Sequence, residues 1–120
     1  MYAAYQTLSE PMKTWLSGLE AMHESEHTLG AYFGAKAQGS RDGIFPEAAH
    51  PVVRTHPETG KKALFVNSGF TTRIVGLTPA ESHAVLEFLY QHLAGPKFQC
   101  RFSWRKNSIA FWDNRCAQHM

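Results

Sequence analysis

The chain has 120 residues, with 12 Lys+Arg against 10 Asp+Glu, seven His and two Cys. That length suits one domain, and 43% hydrophobic with 12% aromatic content is ordinary for a packed core, which excludes long-range disorder. A formal net charge of +2 supplies no basic stripe for nucleic acid or an anionic membrane, and no apolar run nears the roughly 20 residues of a membrane span.

The opening Met1-Tyr2-Ala3-Ala4-Tyr5-Gln6 lacks the charged and apolar regions of a signal peptide. Cys100 and Cys116 make no disulfide framework, so reduced thiols and a cytoplasmic location are expected. Met12, Trp15, Leu16, Leu19 and Met22 are spaced for one helical face, with Ser9 as the cap and Pro11 in the first turn. Gly30, Gly34, Gly39 and Gly43 follow among few large aliphatics, and residues 30–49 read as a mobile loop.

From Pro51 the period changes. Residues 52–55 and 63–67 are short β-rich runs around His56-Pro57-Glu58-Thr59-Gly60, which has the composition of a hairpin turn. Residues 73–75 are a third strand candidate. Thr78-Pro79-Ala80-Glu81 then combines an N-cap, proline at the first helical position and a capping-box glutamate. Val85, Leu86, Leu89 and Leu93 form the buried face of a helix over residues 79–94, and Gly95-Pro96 stops it. In the last third Phe98, Cys100, Phe102 and Trp104 alternate with polar residues, which predicts a strand over 98–104. Lys106-Asn107-Ser108 turns the chain into a further strand over 109–112.

Histidine constellations are the chemistry above background. His23-Glu24-Ser25-Glu26-His27 matches the H-E-x-x-H pattern, which on a helix sets two imidazoles one turn apart for Zn²⁺ with Glu24 as base. The plainer reading is a polar helix end running into glycine-rich sequence. His56-Pro57-Glu58 with His119 outlines a two-histidine, one-carboxylate iron site, although the same residues make a good solvated turn. His119, taken alone near the chain end, suits a structural or exposed role.

Three blocks occur in order around the capped helix: His50-Pro51-Val52-Val53-Arg54-Thr55-His56-Pro57, Leu64-Phe65-Val66-Asn67-Ser68-Gly69-Phe70-Thr71-Thr72-Arg73-Ile74, and Trp112-Asp113-Asn114-Arg115-Cys116-Ala117-Gln118-His119. Together they resemble the C-terminal half of the TauD/TfdA dioxygenases, enzymes that depend on Fe(II) and 2-oxoglutarate. The resemblance implies a mainly β fold with flanking helices (α+β), a partial double-stranded β-helix or jelly roll that is incomplete in this chain. It implies His119 as the distal histidine ligand of the metal and Phe70 as an aromatic wall of the substrate pocket. Trp112, Asp113, Asn114 and Arg115 become packing residues behind that histidine, and His56, Glu58, His23 and His27 take no metal role.

The family's first two ligands, an H-x-D pair, precede the position of Met1, and its 2-oxoglutarate arginine follows His119. Residues 1–120 are therefore expected to be a single partial domain with one of three ligands, inactive alone. The implied reaction hydroxylates a small organic substrate such as taurine or another sulfonate, with 2-oxoglutarate and O₂ as co-substrates. The alternative from a different class is a non-catalytic remnant or interaction module of the same fold.

Overall fold

Two short helices, α1 (Tyr2–Gln6) and α2 (Glu10–Leu16), open the chain in the computed structural model, which describes residues 1–25 and 47–119. Ser9 caps α2 by accepting the Met12 N–H at 3.4 Å, and Pro11 sits in the first turn, as the sequence suggests. The helix nevertheless ends at Leu16, well before Met22. Ser17 and Gly18 are poor helix formers, and beyond them Glu20–Glu24 is strand β1. Antiparallel ladders hold β1 on both sides, to β2 (Glu47–Pro51) and to β5 (Thr71–Ile74). Two ladders outweigh a local helical period, so Leu19 and Met22 leave the expected helix face.

The second sheet pairs β3 (Val53–Thr55) with β4 (Lys62–Leu64) across the expected hairpin turn. His56 N–H donates to the Lys61 carbonyl and Gly60 N–H to the His56 carbonyl, both at 2.9 Å. Gly60 takes φ +67°, a conformation a side chain would resist. Val52 joins the two sheets: its N–H donates to Leu19 O at 2.9 Å and its carbonyl accepts from Phe65 N–H at 2.7 Å. Strand β2 claims residues 47–49 of the expected mobile loop, whose other residues, 30–46, lie outside the described ones.

Helix α3 (Pro79–Leu93) forms where the capping signals put it, and both halves of its capping box are made. Leu86 and Leu89 are buried, with Val85 and Leu93 packed at the margin of the same core. Two bonds lay the helix along β5. Ser82 Oγ accepts the Ile74 N–H at 2.8 Å, and Tyr90 OH donates to the Thr71 carbonyl at 2.8 Å. At its far end His92 Nε2 donates to the Ala4 carbonyl at 2.8 Å, tying α3 to α1. Leu16, Val52, Leu64, Val66, Ile74 and Leu89 are the fully buried centre of this arrangement. No helix among the described residues is long and apolar enough to cross a membrane.

The two strands expected in the last third are not formed. A 3₁₀ turn over Pro96–Phe98 follows α3, and residues 99–112 join no ladder. Their turn is real: Ser108 N–H donates to Arg105 O at 2.9 Å, Arg105 N–H returns to Ser108 Oγ at 3.0 Å, and Asn107 takes φ 68°. Phe102, Trp104, Ile109 and Phe111 remain 54, 65, 88 and 101% exposed. Period-2 alternation marks a segment that suits a sheet, but a ladder also needs a neighbouring strand, and none of the described strands pairs with it. The observed architecture is thus α+β, with small antiparallel sheets packed against helices.

Candidate functional site

The most densely bonded polar feature joins the β3–β4 turn to residues 113–119. Asp113 is its hub. Its carboxylate accepts the Arg115 backbone N–H at 2.8 Å, the Arg115 guanidinium at 2.7–3.0 Å and His56 Nε2 at 3.0 Å. Its backbone carbonyl accepts from the Cys116 and Ala117 N–H groups at 3.2 and 3.0 Å, winding the chain into a turn. The Arg115 guanidinium, then His56, holds the Asp113 carboxyl well below the ordinary carboxylate range, and Asp113 raises the guanidinium in return. Glu58 completes the join at 3.6 Å from Arg115.

His56 is buried at 8% exposure, and both its ring nitrogens are engaged. Nδ1 accepts from the Glu58 and Thr59 N–H groups, each at 3.3 Å, so the proton sits on Nε2 and points at Asp113. His56, Asp113 and Cys116 bring three donor atoms within 4.8 Å of one another. A cation there would have to displace the Arg115 guanidinium and reverse the His56 tautomer against two backbone donors. The cluster is therefore a structural clasp, and the pairing of His56 with Glu58 and His119 around one metal is not formed. Residues 57 positions apart carry the clasp, and no local pattern announces it.

Gln118 supplies a second anchor by donating its side-chain amide to the Val66 carbonyl. His119 follows immediately. It is exposed, its ring lies 4.6 Å from that of Trp112, and no described residue hydrogen-bonds either ring nitrogen. Phe70 stands at the start of β5, 37% exposed, in a turn that Asn67 builds: Asn67 Oδ1 accepts from Gly69 and Phe70 N–H at 3.0 and 2.8 Å. The Phe70 carbonyl accepts from Glu24 N–H at 2.7 Å. Gln118, the residue before His119, is thus bonded to Val66, four positions before Phe70, and among the described residues no ring contact joins His119 to Phe70.

The described part of the H-E-x-x-H motif is not helical. His23 and Glu24 lie in β1, where successive side chains point to opposite faces, and His27 lies outside the described residues. His23 instead stacks on Phe65 at 5.3 Å and meets the His50 ring edge at 4.9 Å, while Arg54 lies 4.7 Å over Phe65. Desolvation, then the nearby His50, lowers the His23 pKa from the usual 6.5. The unfolded chain therefore binds more protons just below pH 6.5, so stability should be complete above that value and decline as pH falls through the folded-state pKa. Urea midpoints measured at pH 7.5 and 5.5 should show this decline, and His23→Gln should make it shallower.

The sequence matches the family described as "Taurine catabolism dioxygenase TauD, TfdA family" over residues 1–120. A Schizosaccharomyces pombe protein assigned as an alpha-ketoglutarate-dependent sulfonate dioxygenase is 44% identical, across 98% of this chain and 30% of its own length. The alpha-ketoglutarate-dependent 2,4-dichlorophenoxyacetate dioxygenase of a Burkholderia species is 35% identical, across 99% of this chain and 40% of its own. A taurine dioxygenase structure from Burkholderia xenovorans superposes with a TM-score of 0.80 at 39% identity, covering 96% of this chain and 35% of that one. The chain thus spans well under half the length of each relative. With a family match over its entire length and the same fold in a solved relative, the protein belongs to the TauD/TfdA dioxygenase family.

Proposed function

We propose that this chain forms the distal-histidine portion of an Fe(II)- and 2-oxoglutarate-dependent dioxygenase that oxidises a small sulfonate such as taurine, within a partial jelly roll. The observation that carries the reading is His119, an imidazole free at both nitrogens among the described residues and placed at the end of a turn anchored twice. A divalent iron needs a neutral imidazole lone pair, which His119 can offer and the fully engaged His56 cannot. The residues present therefore fit one ligand position. When bound, the metal would supply the oxidising chemistry between O₂ and 2-oxoglutarate.

What the chain itself contributes is placement. Asp113 and Gln118 anchor the turn that leads into His119, Trp112 flanks its ring, and Phe70 offers a half-exposed apolar surface for substrate. Dependence on alpha-ketoglutarate in the relatives supports the co-substrate, and the S. pombe protein's sulfonate assignment favours an anionic sulfonate over other small acids. The two thiols, free in the described structure, suit the cytoplasmic location we infer.

The test places this chain in a polypeptide that supplies the family's other two ligands and its arginine. Sulfite release from taurine or another alkyl sulfonate, coupled to 2-oxoglutarate consumption, is the expected outcome. Phe70→Ala should raise KM roughly tenfold with a smaller change in kcat, since an apolar pocket group is worth about 1–3 kcal/mol. Turnover of 2-oxoglutarate that no sulfonate stimulates would overturn the substrate assignment.

A further inference from the structure

The geometry points to His56 as a positioning residue for His119: its Nε2–H bond to Asp113 locks residues 113–119 onto the β3–β4 turn and so sets where the last imidazole is held. This deepens the reading of His119 as an iron ligand and rests on it. His56 touches neither metal nor substrate in that reading and acts through Asp113.

The argument starts at the hairpin. The N–H groups of Glu58 and Thr59 both point at Nδ1 and thereby choose the tautomer, so the ring is held in one orientation with its single proton aimed outward. That proton is donated to Asp113 Oδ2, 3.0 Å from Nε2. Asp113 then organises its own turn through Arg115 and through the Cys116 and Ala117 N–H groups, and the chain curls back towards the residues that follow β4. Gln118 reaches Val66 and His119 comes next, beside Trp112. With His56 and Gln118 both engaged, the segment is fixed at two short hydrogen bonds. Without His56, Gln118 and the long, exposed Glu58–Arg115 ion pair at 3.6 Å would be left to hold it, and a surface ion pair of that length fixes position poorly. Metal ligands lose function through small errors of placement, so the partners behind a ligand matter nearly as much as the ligand.

The test reads the position of His119 without any metal, by NMR of the 120-residue chain. The indole of Trp112, 4.6 Å away, should displace the His119 ring-proton signals from their free-imidazole positions. His56→Phe keeps an aromatic ring in the turn but removes the donor. It should erase that displacement and the exchange protection of the Cys116 and Ala117 amides, while the Leu64 and Ile74 methyl signals stay in place. His56→Gln, whose amide N–H can still reach Asp113, should preserve the displacement. Asp113→Ala breaks the same bond from a side chain that is 35% exposed, and it covers the case in which His56→Phe fails to fold. Unchanged His119 signals in His56→Phe or Asp113→Ala, or a His56→Gln that behaves like His56→Phe, would overturn the proposal. An iron titration indifferent to His119→Ala in the longer polypeptide would instead defeat the functional reading, leaving the ring-signal result standing.

Discussion

Anaerobic addition of Fe(II) and 2-oxoglutarate to the 120-residue chain should give no metal-to-ligand charge-transfer band, and admitting air should give no protein-dependent succinate. A single imidazole holds Fe(II) weakly against water, because it lacks chelating partners and the charge of a carboxylate. His119 belongs to no group of three metal donors among the described residues, and the group that does exist, around Asp113, is committed to Arg115. Binding of 2-oxoglutarate should fail as well. Recognition of such a dianion relies on a paired guanidinium, and Arg115 already has its carboxylate. In a polypeptide that supplies the family's other ligands and arginine, both signals should appear. There His119→Ala should lower turnover by more than about a hundredfold, since loss of a mere supporting partner costs 10–100-fold. A charge-transfer band from the 120-residue chain, with succinate formed in air, would overturn the claim.

Leu64→Ala should be the most damaging single change to folding. Leu64 is fully buried in β4, between the clasp turn and the Val66 carbonyl that receives Gln118. Truncating such a side chain costs about 2–5 kcal/mol through lost burial and the cavity left behind. A domain this size has only about 5–15 kcal/mol in total. With a urea dependence of about 1–3 kcal/mol per molar, the unfolding midpoint should drop by roughly 1–2 M. Phe111→Ala is the matched control. Phe111 is wholly exposed, so its truncation should move stability by no more than about 0.5 kcal/mol. Equal effects of the two substitutions would contradict the assignment of the core.

Features written in adjacent residues were legible before any coordinates. The Ser9 cap, the capping box at Thr78 and Glu81, the stop at Gly95-Pro96 and the turn at His56–Gly60 all form, because each depends on hydrogen bonds or dihedral preferences spanning a few positions. Family membership was legible too, since three ordered blocks carry it and the match runs over the whole chain.

Whatever depended on a distant partner was not. Residues 20–24 carry a helical spacing but become a strand, because β2 and β5 offer ladders on both sides. Residues 98–104 carry a clean strand spacing but form no ladder, because no described strand lies beside them. Five strands were expected and five are present among the described residues, yet two of these are different segments. The site divides in the same way. The roles proposed for His119 and Phe70 rest on resemblance, whereas the clasp of His56 on Asp113 came only from the tertiary structure, since nothing in a turn sequence specifies a partner 57 residues away. Local spacing sets what a segment can become. Pairing across the chain sets what it does become, because a ladder bond or a buried hydrogen bond gains its free energy only when both halves arrive.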